Sequence, residues 1–165
     1  MNDAQIKYAI KLECERRYEE GCRKLGLEVY PLIVNFTIKG QVAGKASRVE
    51  KKVNFNLDIA RTNYAQFIQR TPVHEVAHIL TRQKYGARAQ SHGREWKYVM
   101  SNIFGKTPDR CHSYDMSDVP TKKLNRYPYK CSCQTFELTT IRHNRIVRGE
   151  QIYRCPKCRS ILKRA

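Results

Sequence analysis

The sequence predicts an α+β fold with a small metal-stapled C-terminal appendage, and three observations carry that reading. Apolar residues recur at helical spacing through residues 3–25 and 72–104. β-branched and aromatic runs occupy residues 32–38 and 49–57, and four cysteines stand in two close pairs near the C-terminus. A chain of 165 residues with 41% hydrophobic content can bury one modest core. The expected division is a main domain with a small antiparallel sheet over residues 1–120 and a basic zinc ribbon over residues 121–165.

The elements follow in order. Ile6, Ile10, Cys14, Tyr18 and Cys22 recur every four residues, which predicts a scaffolding helix from Asp3 to Leu25; Leu12 and Leu25 are read as extending its apolar face, and Gly26 as its stop. Leu32–Ile38 reads as a strand, Gly40 and Gly44 as breaks, and Val49–Leu57 as a second strand region with Val53, Phe55 and Leu57 alternating. Two or three antiparallel strands are expected. Asn63–Gln69 reads as a short helix leading into a new one, for which Thr71 is the N-cap and Pro72 the first helical residue. That helix runs through His74–Lys84 and ends at Gly86. A further helix from Gly93 to Phe104 places Trp96, Val99, Met100 and Ile103 on one core-facing side. Residues 109–126 show little regular pattern.

The chemistry concentrates in His74-Glu75-Val76-Ala77-His78. Residues four apart lie one above the other on a helix, so two imidazoles there can grip one Zn²⁺ while Glu75 stands close enough to act as a base. Such a pentapeptide also occurs as two half-buried histidines on an ordinary helix, so a third ligand decides the matter. The metzincin spacing is absent: Thr81 and Lys84 occupy the positions of its glycine and third histidine. His92 is the preferred third ligand, because Ser91-His92-Gly93 reads as a helix start and Gly93 permits close backbone approach; Glu95 is the alternative. Cys111-His112-Ser113-Tyr114 is a further segment that can reach a metal centre and stabilise an oxyanion.

Cys131-Ser132-Cys133 and Cys155-Pro156-Lys157-Cys158 bracket 21 residues in which Phe136–Thr140 and Ile146–Ile152 read as strands. Two tight turns that each offer two thiolates are a zinc-ribbon pattern, and metal binding can stabilise a segment too small to fold on its core alone. The first pair is one residue tighter than the usual knuckle, which leaves two ligand sets open: all four cysteines, the preferred reading, or His143 in place of one of them. Cys14, Cys22 and Cys111 are expected to be buried free thiols. Twelve Lys and Arg against two acids from Thr121 onward carry +10 of the formal +17, with Lys122, Lys123 and Arg126 read as a basic linker. Arg142, His143, Arg145, Arg148, Arg154 and Lys157 beside Tyr153 and Phe136 give the basic and aromatic mix that suits phosphates and unstacked bases, so a nucleic-acid partner is expected. No apolar run is long enough to span a membrane, and no signal peptide is visible at Met1-Asn2-Asp3-Ala4; a cytoplasmic location and no membrane partner are expected.

His74-Glu75-Val76-Ala77-His78, His92-Gly93-Arg94-Glu95-Trp96, Tyr129-Lys130-Cys131-Ser132-Cys133, Arg142-His143-Asn144-Arg145 and Tyr153-Arg154-Cys155-Pro156-Lys157-Cys158, in this order over almost the whole chain, resemble the bacterial branch of the SprT-like zinc metalloprotease family. That family is similar to the protease domain of Spartan, the eukaryotic DNA–protein crosslink protease. The resemblance implies a zincin-like fold in which His74, His78 and His92 hold a catalytic Zn²⁺ and Glu75 is the catalytic glutamate. It also implies a ribbon with a second, structural zinc. The function expected is a zinc endopeptidase acting on DNA-bound or DNA-crosslinked proteins. The competing readings are a nucleic-acid-binding or regulatory protein with a vestigial site, and a metal-dependent hydrolase of a non-peptide bond.

Overall fold

The computed structural model describes residues 1–47, 50–120 and 124–165, which form two compact units, Met1–Thr121 and Lys122–Ala165. The expected strand residue Val49 and the linker residues Lys122 and Lys123 lie outside the described residues.

The first unit is built on two long helices. Helix α1, Asp3–Leu25, starts at a capping box in which Asn2 and Gln5 exchange side-chain to main-chain hydrogen bonds, and ends at Gly26 in the left-handed region, φ 64°. Ile6, Ile10, Cys14, Tyr18 and Cys22 are all buried. Leu12 lies off that stripe and is 52% exposed, so it does not extend the buried face. Strands β1 (Ile33–Asn35), β2 (Gly44–Ser47) and β3 (Lys52–Phe55) form a sheet in the order β1-β3-β2. β2 pairs antiparallel with β3, but β1 runs parallel to it, because residues 36–43 carry the chain past β3 to its far side. The all-antiparallel expectation is therefore corrected. Gly44 is also no break: it opens β2, one of the two edge strands. Leu57, expected at the end of a strand, opens helix α2 (Leu57–Thr62). Buried Asn56 caps that helix, its Oδ1 accepting from the Asp58 and Ile59 amides while its Nδ2 donates to the Gly40 carbonyl. The same residue thus ties the start of α2 to the loop that delivers β2.

Helix α3 is one element from Tyr64 to Tyr85, with Pro72 inside it. The expected helix start at Thr71-Pro72 is overturned. Thr71 spends its hydroxyl on the Tyr114 phenol, 2.7 Å away, rather than on capping, and Phe67, Thr71, Pro72 and Val73 are all buried. An interior proline costs about 3 kcal/mol. Burial of four consecutive turns against the core outweighs that here, as tertiary packing routinely overrides propensity. The α1–α3 contact is close enough that a Cβ on Gly21 would fall 2.2 Å from Leu80 Cδ1. Tyr18 donates to Gln83 Oε1 (2.7 Å) across the same interface. Helix α4, Arg94–Tyr98, continues as a π-helical turn, Val99–Ile103, which keeps Trp96, Val99, Met100 and Ile103 buried as their spacing predicts. Among the described residues, no helix is long and apolar enough to cross a membrane.

The second unit is a three-stranded antiparallel sheet in the order β5-β4-β6, from β4 (Arg126–Lys130), β5 (Thr135–Thr139) and β6 (Lys163–Arg164). The expected strand Ile146–Ile152 is not formed: helix α5 spans Thr140–Val147 and Gly149, φ 70°, follows it. The β-branched Ile146, Val147 and Ile152 mislead a propensity reading. Their spacing from His143 decides otherwise, since His143 and Ile146, three apart, pack inward while Arg142, Arg145 and Arg148 stay exposed. The core of this unit is small: Tyr129, Leu138, Cys155 and Leu162.

A valine at Gly21 tests the helix pair at the centre of the first unit. Gly21→Val should lower stability by about 1–3 kcal/mol, because the added carbons meet fully buried Leu80 and the Phe104 ring, 3.1 Å from a Cβ at that position. The expected signature in urea unfolding is a lower midpoint with an unchanged slope.

Candidate metal centres

His74, Glu75 and His78 lie on α3, the two histidines one turn apart as their spacing predicts. His92, in the loop before α4, meets them: one ring nitrogen from each of His74, His78 and His92 lies within 4.8 Å of the others. His74 Nε2 and His92 Nε2 are 3.2 Å apart. Two nitrogens bound at about 2.0–2.1 Å to one tetrahedral zinc would stand about 3.3 Å apart, so the donor set fits that ion. Glu95, the alternative ligand, is not in the cluster; its carboxylate lies 3.5 Å from Arg94. The side chain that fixes the histidines is Trp96. Fully buried, its ring stacks on His78 at 5.4 Å between centroids and meets His74 and His92 edge to face at 4.8 and 4.7 Å. Its role as core, predicted from the helical face, is also that of a backing plate for all three imidazoles.

His74 presents Nε2 to the His92 ring, the side on which the three imidazoles converge. Burial, helped by the neighbouring His92, pulls His74 down to about 4, so the ring is neutral and its lone pair free for a metal. Burial and nearby Arg110 lower His92 in the same direction.

Glu75 is 6% exposed, and desolvation pushes its carboxyl up to about 8 against the opposing pull of the nearby Ala46 main chain. Strand β2 reaches it only because residue 44 is glycine. A Cβ there would sit 2.9 Å from both Cγ and Oε1 of Glu75. No pattern in the sequence marks this approach, since a lone glycine between two strand-like runs reads as a break. Histidines and glutamate open onto a cavity of about 560 Å³. One side of it is lined by residues 41–46, and another by Lys106, Thr107 and residues 109–112 with Tyr114. Cys111-His112-Ser113-Tyr114 therefore does reach the cleft, through Cys111, His112 and Tyr114. Cys111 is exposed, which corrects the expectation that it is buried, whereas Cys14 and Cys22 are buried free thiols.

In the second unit Cys131, Cys133, Cys155 and Cys158 form a cluster, their sulfurs within 4.8 Å of one another. Cys131 and Cys133 sulfurs are 3.5 Å apart and Cys133 and Cys155 sulfurs 3.7 Å, against about 3.8 Å for two thiolates at 2.3 Å on one tetrahedral zinc. His143 is not among them. Its Nδ1 bonds the Tyr129 hydroxyl at 3.0 Å and its ring stacks flat on Tyr127, centroids 3.8 Å apart, so it serves the sheet and not the cluster. The residue between the tight pair has its own task. Ser132 Oγ donates to Cys158 Sγ (3.3 Å), and Ser160 Oγ lies 2.9 Å from the same sulfur; together they draw the Cys158 thiol down to about 5. Of the basic and aromatic residues named from the sequence, Arg142, Arg145, Arg148, Arg154 and Lys157 are exposed, and Arg142 lies 5.7 Å over the Tyr153 ring.

The SprT-like family model matches residues 14–115, a span that includes the three histidines, Glu75 and all of β1–β3. The chain belongs to the SprT-like family. It is 35% identical over 162 residues to Protein SprT of Escherichia coli, covering 96% of each chain. To Protein SprT of Pseudomonas putida it is 40% identical over 131 residues, 78% of this chain and 77% of the relative. To Protein SprT of Pasteurella multocida the identity is 41% over 126 residues, 76% and 74% of the two chains. No solved structure is significantly similar to the chain. Within the SprT-like framework, the histidine and cysteine clusters are two candidate metal sites whose donors suit zinc.

The ligand choice is testable by competition with a chelator. His92→Ala should weaken metal binding at the histidine cluster by tenfold or more, on the order expected for a lost ligand or its support. Glu95→Ala should leave it unchanged.

Proposed function

We propose that this SprT-like chain is a zinc-dependent endopeptidase acting on proteins bound or crosslinked to DNA, with the basic ribbon as its nucleic-acid contact. The observation that carries the reading is Glu75: a buried carboxylate outside the ligand set, beside three convergent imidazoles, facing a cleft with an edge strand along it. A purely structural metal site has no use for such a group, and burying it costs free energy.

Zinc held by His74, His78 and His92 would supply Lewis acidity at a fourth, open position, polarising a substrate carbonyl and acidifying water. The protein supplies the rest. Glu75 takes the proton of the attacking water and returns it to the leaving amine nitrogen, a role suited to a carboxyl whose affinity for protons is raised towards neutral pH. Gly44 of β2 lets the strand pass against that carboxyl, where a Cβ would stand 2.9 Å from its Oε1. β2 is paired on one side only among the described residues, so its outer edge can accept an extended peptide by main-chain hydrogen bonds and run it past the cluster. Cys131, Cys133, Cys155 and Cys158 would hold a second zinc that stands in for the missing core of the ribbon. The excess of Lys and Arg in that unit supports a polyanionic partner.

The test is cleavage of a basic DNA-binding protein by the zinc-loaded chain, at low salt, with and without single-stranded DNA. Cleavage should require DNA, weaken steeply as salt rises, and fall about 100- to 10,000-fold in Glu75→Gln with zinc content unchanged. Cleavage that persists in Glu75→Gln, or DNA binding with no cleavage at all, would overturn the proposal.

A further inference from the structure

The four thiols of the second unit are not equivalent, although they come as two pairs. Cys155 is fully buried and accepts from the Lys157 amide at 3.4 Å and from Gln134 Nε2 at 3.6 Å. Cys158 takes two hydroxyls, Ser132 Oγ at 3.3 Å and Ser160 Oγ at 2.9 Å. Those hydroxyls stand 3.3 Å from each other, so they brace the Cys158 sulfur from both turns. Cys131 accepts from the Cys133 amide at 3.4 Å. Cys133 differs in kind. It is exposed, and the hydrogen-bonding neighbours of its sulfur among the described residues are other sulfurs, Cys131 at 3.5 Å and Cys155 at 3.7 Å.

A hydrogen bond to a thiolate stabilises its charge and lowers its basicity, and nucleophilicity falls with basicity. Cys131, Cys155 and Cys158, which accept N–H or O–H donors, are therefore the weaker nucleophiles, and burial closes Cys155 further. Cys133 keeps its charge density at the surface. It also has two sulfurs beside it, the arrangement of a reactive cysteine poised next to a resolving one.

We propose that Cys133 is the modification site of the ribbon, the thiolate that a hydroperoxide attacks first, and that its oxidation unfastens the cysteine cluster. This rests on the four-cysteine metal reading given above. The Cys133 sulfur gives an electron pair to one peroxide oxygen, the O–O bond breaks, and hydroxide leaves, so that Cys133 becomes a sulfenic acid. The thiolate of Cys131 or Cys155 then attacks that sulfur, displaces a second hydroxide and forms a disulfide. Both electrons lost by the two sulfurs have gone to the peroxide. Half of the metal-binding thiolates are then gone, in a unit whose own buried core is small.

The test uses the full zinc-loaded chain carrying Cys111→Ser, which removes the exposed thiol of the first unit. Hydrogen peroxide is added below stoichiometry. Zinc release is followed with a chromogenic chelator, and the first sulfenic acid is trapped with dimedone and located by peptide mass spectrometry. Cys133 should be labelled about tenfold or more ahead of Cys158, with about one zinc ion released per oxidised Cys133. The double variant Ser132→Ala with Ser160→Ala, which spares all four ligands, should raise labelling of Cys158 until it competes with Cys133. Labelling that begins at Cys131, Cys155 or Cys158, zinc lost while Cys133 stays reduced, or an unchanged pattern in the double variant would overturn the proposal and leave the thiolate metal site standing. A chain that binds no zinc through its cysteines would overturn both together.

Discussion

The structure depends on α3 remaining a single helix through Pro72. Everything the cleft needs is indexed to that one rod. Its inner face packs on α1, a second stripe carries Asn63, Phe67 and Thr71 to residues 114 and 115 of the wall segment, and a third presents Glu75 to β2. A break at Pro72 would leave the anchors of the wall segment on one helix and the histidines on another, free to rotate apart. Helix continuity removes that freedom. Its cost, an interior proline, is met by burial on both sides, with Phe67 and Val73 among the most buried residues of the chain.

The second constraint is electrostatic. α3 carries His74 and Glu75 into a region where charge is poorly solvated, and the two respond in the direction that keeps them neutral: His74 downward, Glu75 upward. Such an arrangement is unfavourable as mere core and becomes reasonable when a cation completes it. The ribbon follows the same logic with sulfur. Four thiols converge where the buried core is small, Tyr129, Leu138, Cys155 and Leu162 with half-buried residues around them, so metal is expected to do what burial cannot. Ser132 gives the tight Cys131–Cys133 spacing a physical reason, because its hydroxyl crosses to Cys158 and links the two turns.

What was legible in the sequence was what side-chain spacing encodes. The four-residue stripe of α1, the pairing of His74 with His78 and the inward set around Trp96 all follow from helical geometry. The SprT-like resemblance, carried by His74–His78, His92 and the two cysteine pairs, matches the family to which the chain belongs. Two of the failures share one cause, which is that a partner distant in the chain overrode a local preference: Thr71 reads as a cap until Tyr114 takes its hydroxyl, and Gly44 reads as a break until Glu75 requires a residue without Cβ. Ile146 fails for a local reason, because its β-branched side chain suggests a strand while its three-residue spacing from His143 turns it inward on a helix.

The central claim is that the histidine cluster is a metal centre distinct from the thiolate one. Zinc X-ray absorption on the full chain tests it most directly, because sulfur and nitrogen neighbours differ in distance, about 2.3 Å against 2.0–2.1 Å. The expected result is two zinc ions per chain and an averaged first shell divided evenly between sulfur and nitrogen or oxygen. A single zinc per chain with a shell of sulfur alone would contradict it, leaving the three imidazoles and Glu75 as buried polar groups without a metal to justify them.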